Sequence, residues 1–75
     1  MLTYAWIITG QQGTVIYVTL ETTRLLEVVE ALFSDSYEEV KSRITDCKGY
    51  DVITVKKDIG AGVVNNYYIT HEILH

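Results

Sequence analysis

The chain has 75 residues, of which 48% are hydrophobic, with a single cysteine and a net charge of −4. This length corresponds to one small domain with a thin core. The lone Cys47 excludes an intramolecular disulfide. We therefore expect a second copy or a partner to supply extra stability. The acidic balance argues against broad phosphate binding, which depends on clustered lysine and arginine.

The first ten residues, MLTYAWIITG, contain neither the basic segment nor the small-residue cleavage site of a secretory signal. The apolar runs of the chain are far shorter than a membrane span requires. We therefore expect a cytoplasmic protein without a membrane segment.

A β-hairpin is predicted at the start of the chain, with strands at about residues 2–9 and 14–20 on either side of the sequence GQQG. A tip at Gln11 and Gln12 would place Ile8 opposite Val15 and Trp6 opposite Tyr17. Alternation divides the hairpin into two faces. One face carries Ala5, Ile7, Ile16, Val18 and Leu20, and the other carries Tyr4, Trp6, Ile8, Val15 and Tyr17.

Two helices are predicted next. Leu25, Val28, Val29 and Leu32 recur at the spacing of an amphipathic helix, and Thr22 or Thr23 is a candidate for its N-cap. A second helix is expected over about residues 36–46, where Ser36 and Glu39 match a capping box, Tyr37, Val40 and Ile44 recur at helical spacing, and Gly49 follows as a stop signal.

A second hairpin follows, with strands at about residues 50–57 and 63–74 around the glycine-rich turn DIGAG. Asn65-Asn66 could alternatively form a turn of its own. With Lys57 opposite Val63, one face shows Ile53, Val55, Tyr67 and Ile69, and the other shows Tyr50, Val52, Thr54 and Tyr68.

The order β-β-α-α-β-β predicts one α+β domain, spanning residues 1–75, with a four-stranded antiparallel sheet and two helices on one face. We expect the uncovered face to be an aromatic protein interface, because monomers rarely expose large apolar patches. Its predicted members are Tyr4, Trp6, Ile8, Tyr17, Tyr50, Val52 and Tyr68. Burial of this face within the chain itself is a second interpretation, and stacking of single-stranded nucleic acid or a small ligand on the rings is a third.

The string HEILH, residues 71–75, matches the zinc signature H-E-x-x-H. The preceding YYIT favours a strand, in which positions 71 and 75 stand about 13 Å apart, too far to share one zinc ion. Cys47, His71 and Asp46 could be combined as nucleophile, base and orienting acid, but no sequence feature brings them together. We expect no enzyme activity, no metal and no cofactor.

Residues 21–46 hold seven acidic and three basic residues, which accounts for the whole net charge. Acidic side chains of this segment form a predicted partner-facing surface: Glu27, Glu30, Asp35, Glu38 and Glu39. No family motif is present. In size and acidity alone the chain is similar to small inhibitors and accessory proteins of phages and mobile elements, which implies a protein target. The sequence thus predicts a non-enzymatic protein-binding module that dimerises.

Overall fold

The computed structural model describes residues 3–49 and 51–73 and shows the predicted α+β fold in the predicted order. Tyr50 and the predicted strand ends at residues 2 and 74 lie outside these ranges. The elements, in chain order, are β1 (Tyr4–Thr9), β2 (Val15–Thr19), α1 (Thr22–Leu32), a 3₁₀ turn (Ser34–Ser36), α2 (Tyr37–Thr45), β3 (Val52–Gly60) and β4 (Val63–Ile73).

The sheet has the strand order β2-β1-β4-β3, so the two hairpins join through antiparallel pairing of β1 with β4. Both helices pack on one face of this sheet, and the core lies between the two layers. The apolar stripe of α1 is buried at Leu25 and Val29, and that of α2 at Val40 and Ile44. The sheet contributes Trp6, Ile8, Ile53, Val55 and Ile69 to the same core.

The prediction that Trp6 and Ile8 lie on the uncovered face is wrong. Trp6 is 4% exposed, Ile8 is fully buried, and both belong to the core beneath the helices. The indole Nε1–H of Trp6 donates a hydrogen bond to Thr22 Oγ1 at 3.1 Å, on the first residue of α1. Both faces of the first hairpin are apolar, and the wide indole ring, with one polar atom to satisfy, is on the face that the helices cover.

The predicted register of the first hairpin is also wrong, by two residues. Ile8 pairs with Tyr17 rather than Val15, because the connection is a longer loop closed by Gly10 N–H donating to Thr14 O at 2.8 Å. A β-bulge then shifts the register, so that Thr9 pairs with Val15. The bulge puts Val15 on the face of Thr9.

The second hairpin turns at Ala61 and Gly62, where the φ angles are 54° and 76°. Positive φ at both central residues is the conformation of a type I′ turn. Asn65 and Asn66 are strand residues that pair with Lys57 and Lys56, so the alternative turn at the two asparagines does not form. The predicted pairing of Lys57 with Val63 is again two residues off, but the assignment of residues to the two faces is unchanged.

The predicted helix caps do not form. Glu21 is the N-cap of α1 and Ser36 that of α2, and neither side chain makes a capping hydrogen bond. Thr22 instead accepts the hydrogen bond from Trp6, which fixes the start of α1 above β1. Glu39 and Arg43 form a salt bridge at 2.8 Å on the exposed side of α2.

Candidate protein-binding surface

The sheet face turned away from the helices, called the open face below, is defined by cross-strand pairing. Val18 pairs with Ile7, Ile7 with Thr70, and Thr70 with Val52, so these residues form one row across all the strands. A second row runs parallel to it through Val15, Thr9, Tyr68 and Thr54. Paired residues share a face. Ile7 and Thr9 alternate along β1 with Trp6 and Ile8, which face the helices, so both rows belong to the open face.

Neither row contains a charge, and their valines are exposed: Val18 by 51% and Val52 by 59%. Among the described residues, the charged members of this face lie outside the two rows, at Glu72 near one end and at Lys56 and Asp58 near the other. Glu72 also accepts a hydrogen bond from Thr70 Oγ1 at 3.1 Å. The centre of the open face is therefore uncharged and β-branched, with the charges at its margins.

Two predicted interface residues, Val52 and Tyr68, do lie on the open face. Tyr4 and Tyr17 instead share the helix-covered side with Trp6 and Ile8, and both are partly accessible at its margin. Tyr50 is outside the described residues. Sequence reasoning missed Ile7 and Val18, which were expected under the helices. Alternation groups these two residues on one face, but it does not show which face the helices cover.

The five predicted partner-facing acids are all exposed and lie on the helical side of the molecule: Glu27, Glu30, Asp35, Glu38 and Glu39. Two of them have a basic neighbour, since Arg24 lies 3.9 Å from Glu27 and Arg43 lies 2.8 Å from Glu39. The acidic surface and the open face are thus on opposite sides of the sheet.

His71, the first residue of the HEILH string, is part of β4 and not of a helix. Its ring stacks on Trp6 with the centroids 4.0 Å apart and the planes 5° from parallel, and Tyr4 lies on its other side at 5.1 Å. Within residues 3–49 and 51–73, no three potential metal-ligating side chains come together. His75 falls outside those ranges. His71 therefore belongs to an aromatic stack with Trp6 and Tyr4.

Cys47 follows α2 and donates its thiol hydrogen to Lys48 O at 3.3 Å. Burial, followed by the nearby carboxylate of Asp51, raises the pKa of the Cys47 thiol. Both causes disfavour the thiolate, which is the nucleophilic form of cysteine. The environment of Cys47 is the opposite of that of an activated nucleophile.

Comparison with protein-family models, with curated proteins and with solved structures gives no match. Neither described helix has the length and apolar character that a membrane crossing needs.

Proposed function

We propose that this chain is a non-enzymatic protein-binding module whose open face packs against the open face of a second copy. The observation that supports this proposal is the pair of uncharged rows across the full width of the sheet. The helices bury one face of this sheet, and two sheets can also pack face to face at about 10 Å through their remaining faces. An uncharged surface loses little electrostatic free energy when an identical surface covers it.

The size of the open face sets the expected strength of this dimer. At about 4.8 Å between strands and 3.3 Å per residue, the four strands cover roughly 19 Å by 20 Å. The part of the β3–β4 hairpin that extends beyond the pair of Thr9 and Tyr68 adds roughly 10 Å by 13 Å. Each copy would then contribute on the order of 500 Å², or about 1,000 Å² in total, which is at the lower limit for a specific interface. We therefore expect a weak, reversible dimer.

The dimer leaves the helical side of each copy free. Glu27, Glu30, Asp35, Glu38 and Glu39 would lie on the two outer sides of such a dimer, exposed to solvent. We propose that this side engages a basic surface of a macromolecular target, as an inhibitor or accessory protein would. The exposure of these acids supports the proposal, and the identity of the target is not encoded in them.

The alternative of a nucleic-acid or small-ligand platform has lost its main support. That hypothesis required several rings on one exposed face, whereas Tyr68 is the one ring on the open face within the described residues. A single ring with Lys56 nearby is a poor stacking platform, since such platforms combine several aromatics with a positively charged groove.

A matched pair of substitutions tests the proposal. Val18 on the open face and Val63 at the β3–β4 turn are exposed by 51% and 49%. Val63 is on the opposite side of β4 from its neighbour Val64, which pairs with Asp58 on the open face. Val18→Lys should shift the protein to monomers in sedimentation velocity at high micromolar concentration, because the interface would bury a charge on each copy, whereas Val63→Lys should sediment as the wild type does. Equal behaviour of the two variants would refute the assignment of the interface to the open face.

A further inference from the structure

The outer edge of β3 is available for pairing. β3 is at the end of the strand order and pairs only with β4 among the described strands. Its pairing is regular over seven consecutive residues, Val52–Asp58. The other edge strand, β2, is five residues long and is interrupted by the bulge. A long regular edge presents a row of backbone N–H and C=O groups that an extended peptide can pair with.

A groove runs along this edge between β3 and α2. One cavity, of about 370 Å³, is lined by Ser36, Arg43 and Lys56 among others. A second cavity, of about 330 Å³, is lined by Arg43, Asp46 and Asp51 among others. Both cavities are lined by residues of β3 and α2 and both contact Arg43, and together they are called the β3–α2 groove below. Residues 51–56 span about 17 Å in a strand, which is the length of a short extended peptide of about five or six residues.

The basic residues of the groove lie mainly in the first cavity and its acidic residues mainly in the second. Arg43 and Lys56 lie in the first cavity, where Glu39 is the one carboxylate, and Asp46 and Asp51 lie in the second. The pair of Arg43 and Glu39 is exposed, with half or more of each side chain accessible. Exposed pairs of this kind contribute less than about 1 kcal/mol, so Arg43 can exchange Glu39 for a carboxylate on a ligand at little cost.

We propose that the β3–α2 groove binds an extended peptide that adds to β3 as a fifth, antiparallel strand, with an acidic residue beside Arg43 and a basic residue about four or five positions later beside Asp46 and Asp51. Antiparallel pairing places the N-terminal part of the peptide near Lys56, which sets the order acidic before basic. Residues 51–57 of a second copy, DVITVKK, carry the same order of charges, so pairing of two β3 edges is the competing outcome and would overturn the proposal. The groove shares Val52, Thr54 and Lys56 with the open face, but its α2 residues lie on the opposite side of the sheet, so the proposal does not require the dimer.

Selection from a displayed library of random peptides tests this proposal. Enriched peptides should contain β-branched residues between an acidic residue and a later basic residue. A synthetic copy of the most enriched peptide should shift the backbone amide NMR signals of β3 and α2, and N-methylation of its amides that face β3 should abolish binding. Absence of a consensus, or shifts confined to the open face, would overturn the proposal.

Two exposed helical arginines provide a matched control. Arg43 lies in the groove, whereas Arg24 is on α1, and each is paired with glutamate on its own helix. Arg43→Glu should weaken binding of the selected peptide by about tenfold or more, and Arg24→Glu, which changes the net charge equally, should leave affinity nearly unchanged. Equal losses in both variants would indicate general attraction by net charge and would contradict recognition in the groove.

Discussion

The hydrogen bond from Trp6 to Thr22 makes a quantitative prediction about the fold. Trp6 is 4% exposed, and its Nε1–H lies 3.1 Å from Thr22 Oγ1. Trp6→Phe removes this bond and part of a buried ring, and should lower the free energy of unfolding by roughly 2–3 kcal/mol. Thr22→Val keeps the shape of the side chain and removes the acceptor, which should cost about 1 kcal/mol.

The two losses should not add. Once the indole N–H is absent, Thr22→Val removes no further hydrogen bond. The double variant should therefore be about as stable as Trp6→Phe alone. The coupling free energy between positions 6 and 22 should then be about 1 kcal/mol. Urea unfolding followed by circular dichroism measures all four proteins without depending on the Trp signal. In thermal unfolding, 1 kcal/mol corresponds to about 4–8 °C for a domain of this size.

Thr22→Ser is the control, since it retains the hydroxyl and should keep most of the coupling. Additive losses, with Thr22→Val costing the same in the Trp6→Phe background as in the wild type, would show that the indole does not donate to Thr22. A cost below about 0.5 kcal/mol for Trp6→Phe would be typical of a surface position and would contradict the burial of Trp6 in the core.

Two further predictions concern the β3–β4 turn and the cysteine. Ala61 has a φ of 54°, a conformation that costs a residue with a side chain roughly 1–2 kcal/mol. Ala61→Gly should therefore raise the melting temperature. Gly62→Ala, at a φ of 76°, should lower the melting temperature for the same reason. Because burial and the Asp51 charge raise the pKa of the Cys47 thiol, its alkylation by iodoacetamide at neutral pH should be slower than that of free cysteine. Asp51→Asn removes one of these causes, lowers that pKa and should speed alkylation; an unchanged rate would show that the carboxylate does not act on the thiol.

The alternation of each hairpin predicted its two faces, because the side-chain period of a strand is two and survives an error of two residues in register. This is why Ile53, Val55 and Ile69 were grouped correctly although the predicted pairing of Lys57 was wrong. The exception is the end of β2, where the bulge inserts one residue and changes the face of Val15. A bulge has no distinct signal in this sequence.

The choice between the two faces could not be made from alternation. The first hairpin is apolar on both sides, so the pattern does not decide whether Trp6 or Ile7 faces the helices. That choice depends on contacts between segments distant in sequence: Ile8 pairs with Ile69 across β1 and β4, and Trp6 bonds to Thr22 on α1. A buried indole requires a partner for its N–H, and Thr22, at the start of the helix, was a candidate that sequence reasoning assigned to capping instead.

The central claim, that the open face packs on a second copy, can be tested by isotope-filtered NMR on a mixture of labelled and unlabelled protein at millimolar concentration. Intermolecular cross-peaks between methyl groups should involve Ile7, Val18 and Val52, and the aromatic protons of Tyr68 should contact the same methyls. Intermolecular cross-peaks confined to residues of α1 and α2, or their complete absence at that concentration, would contradict the account.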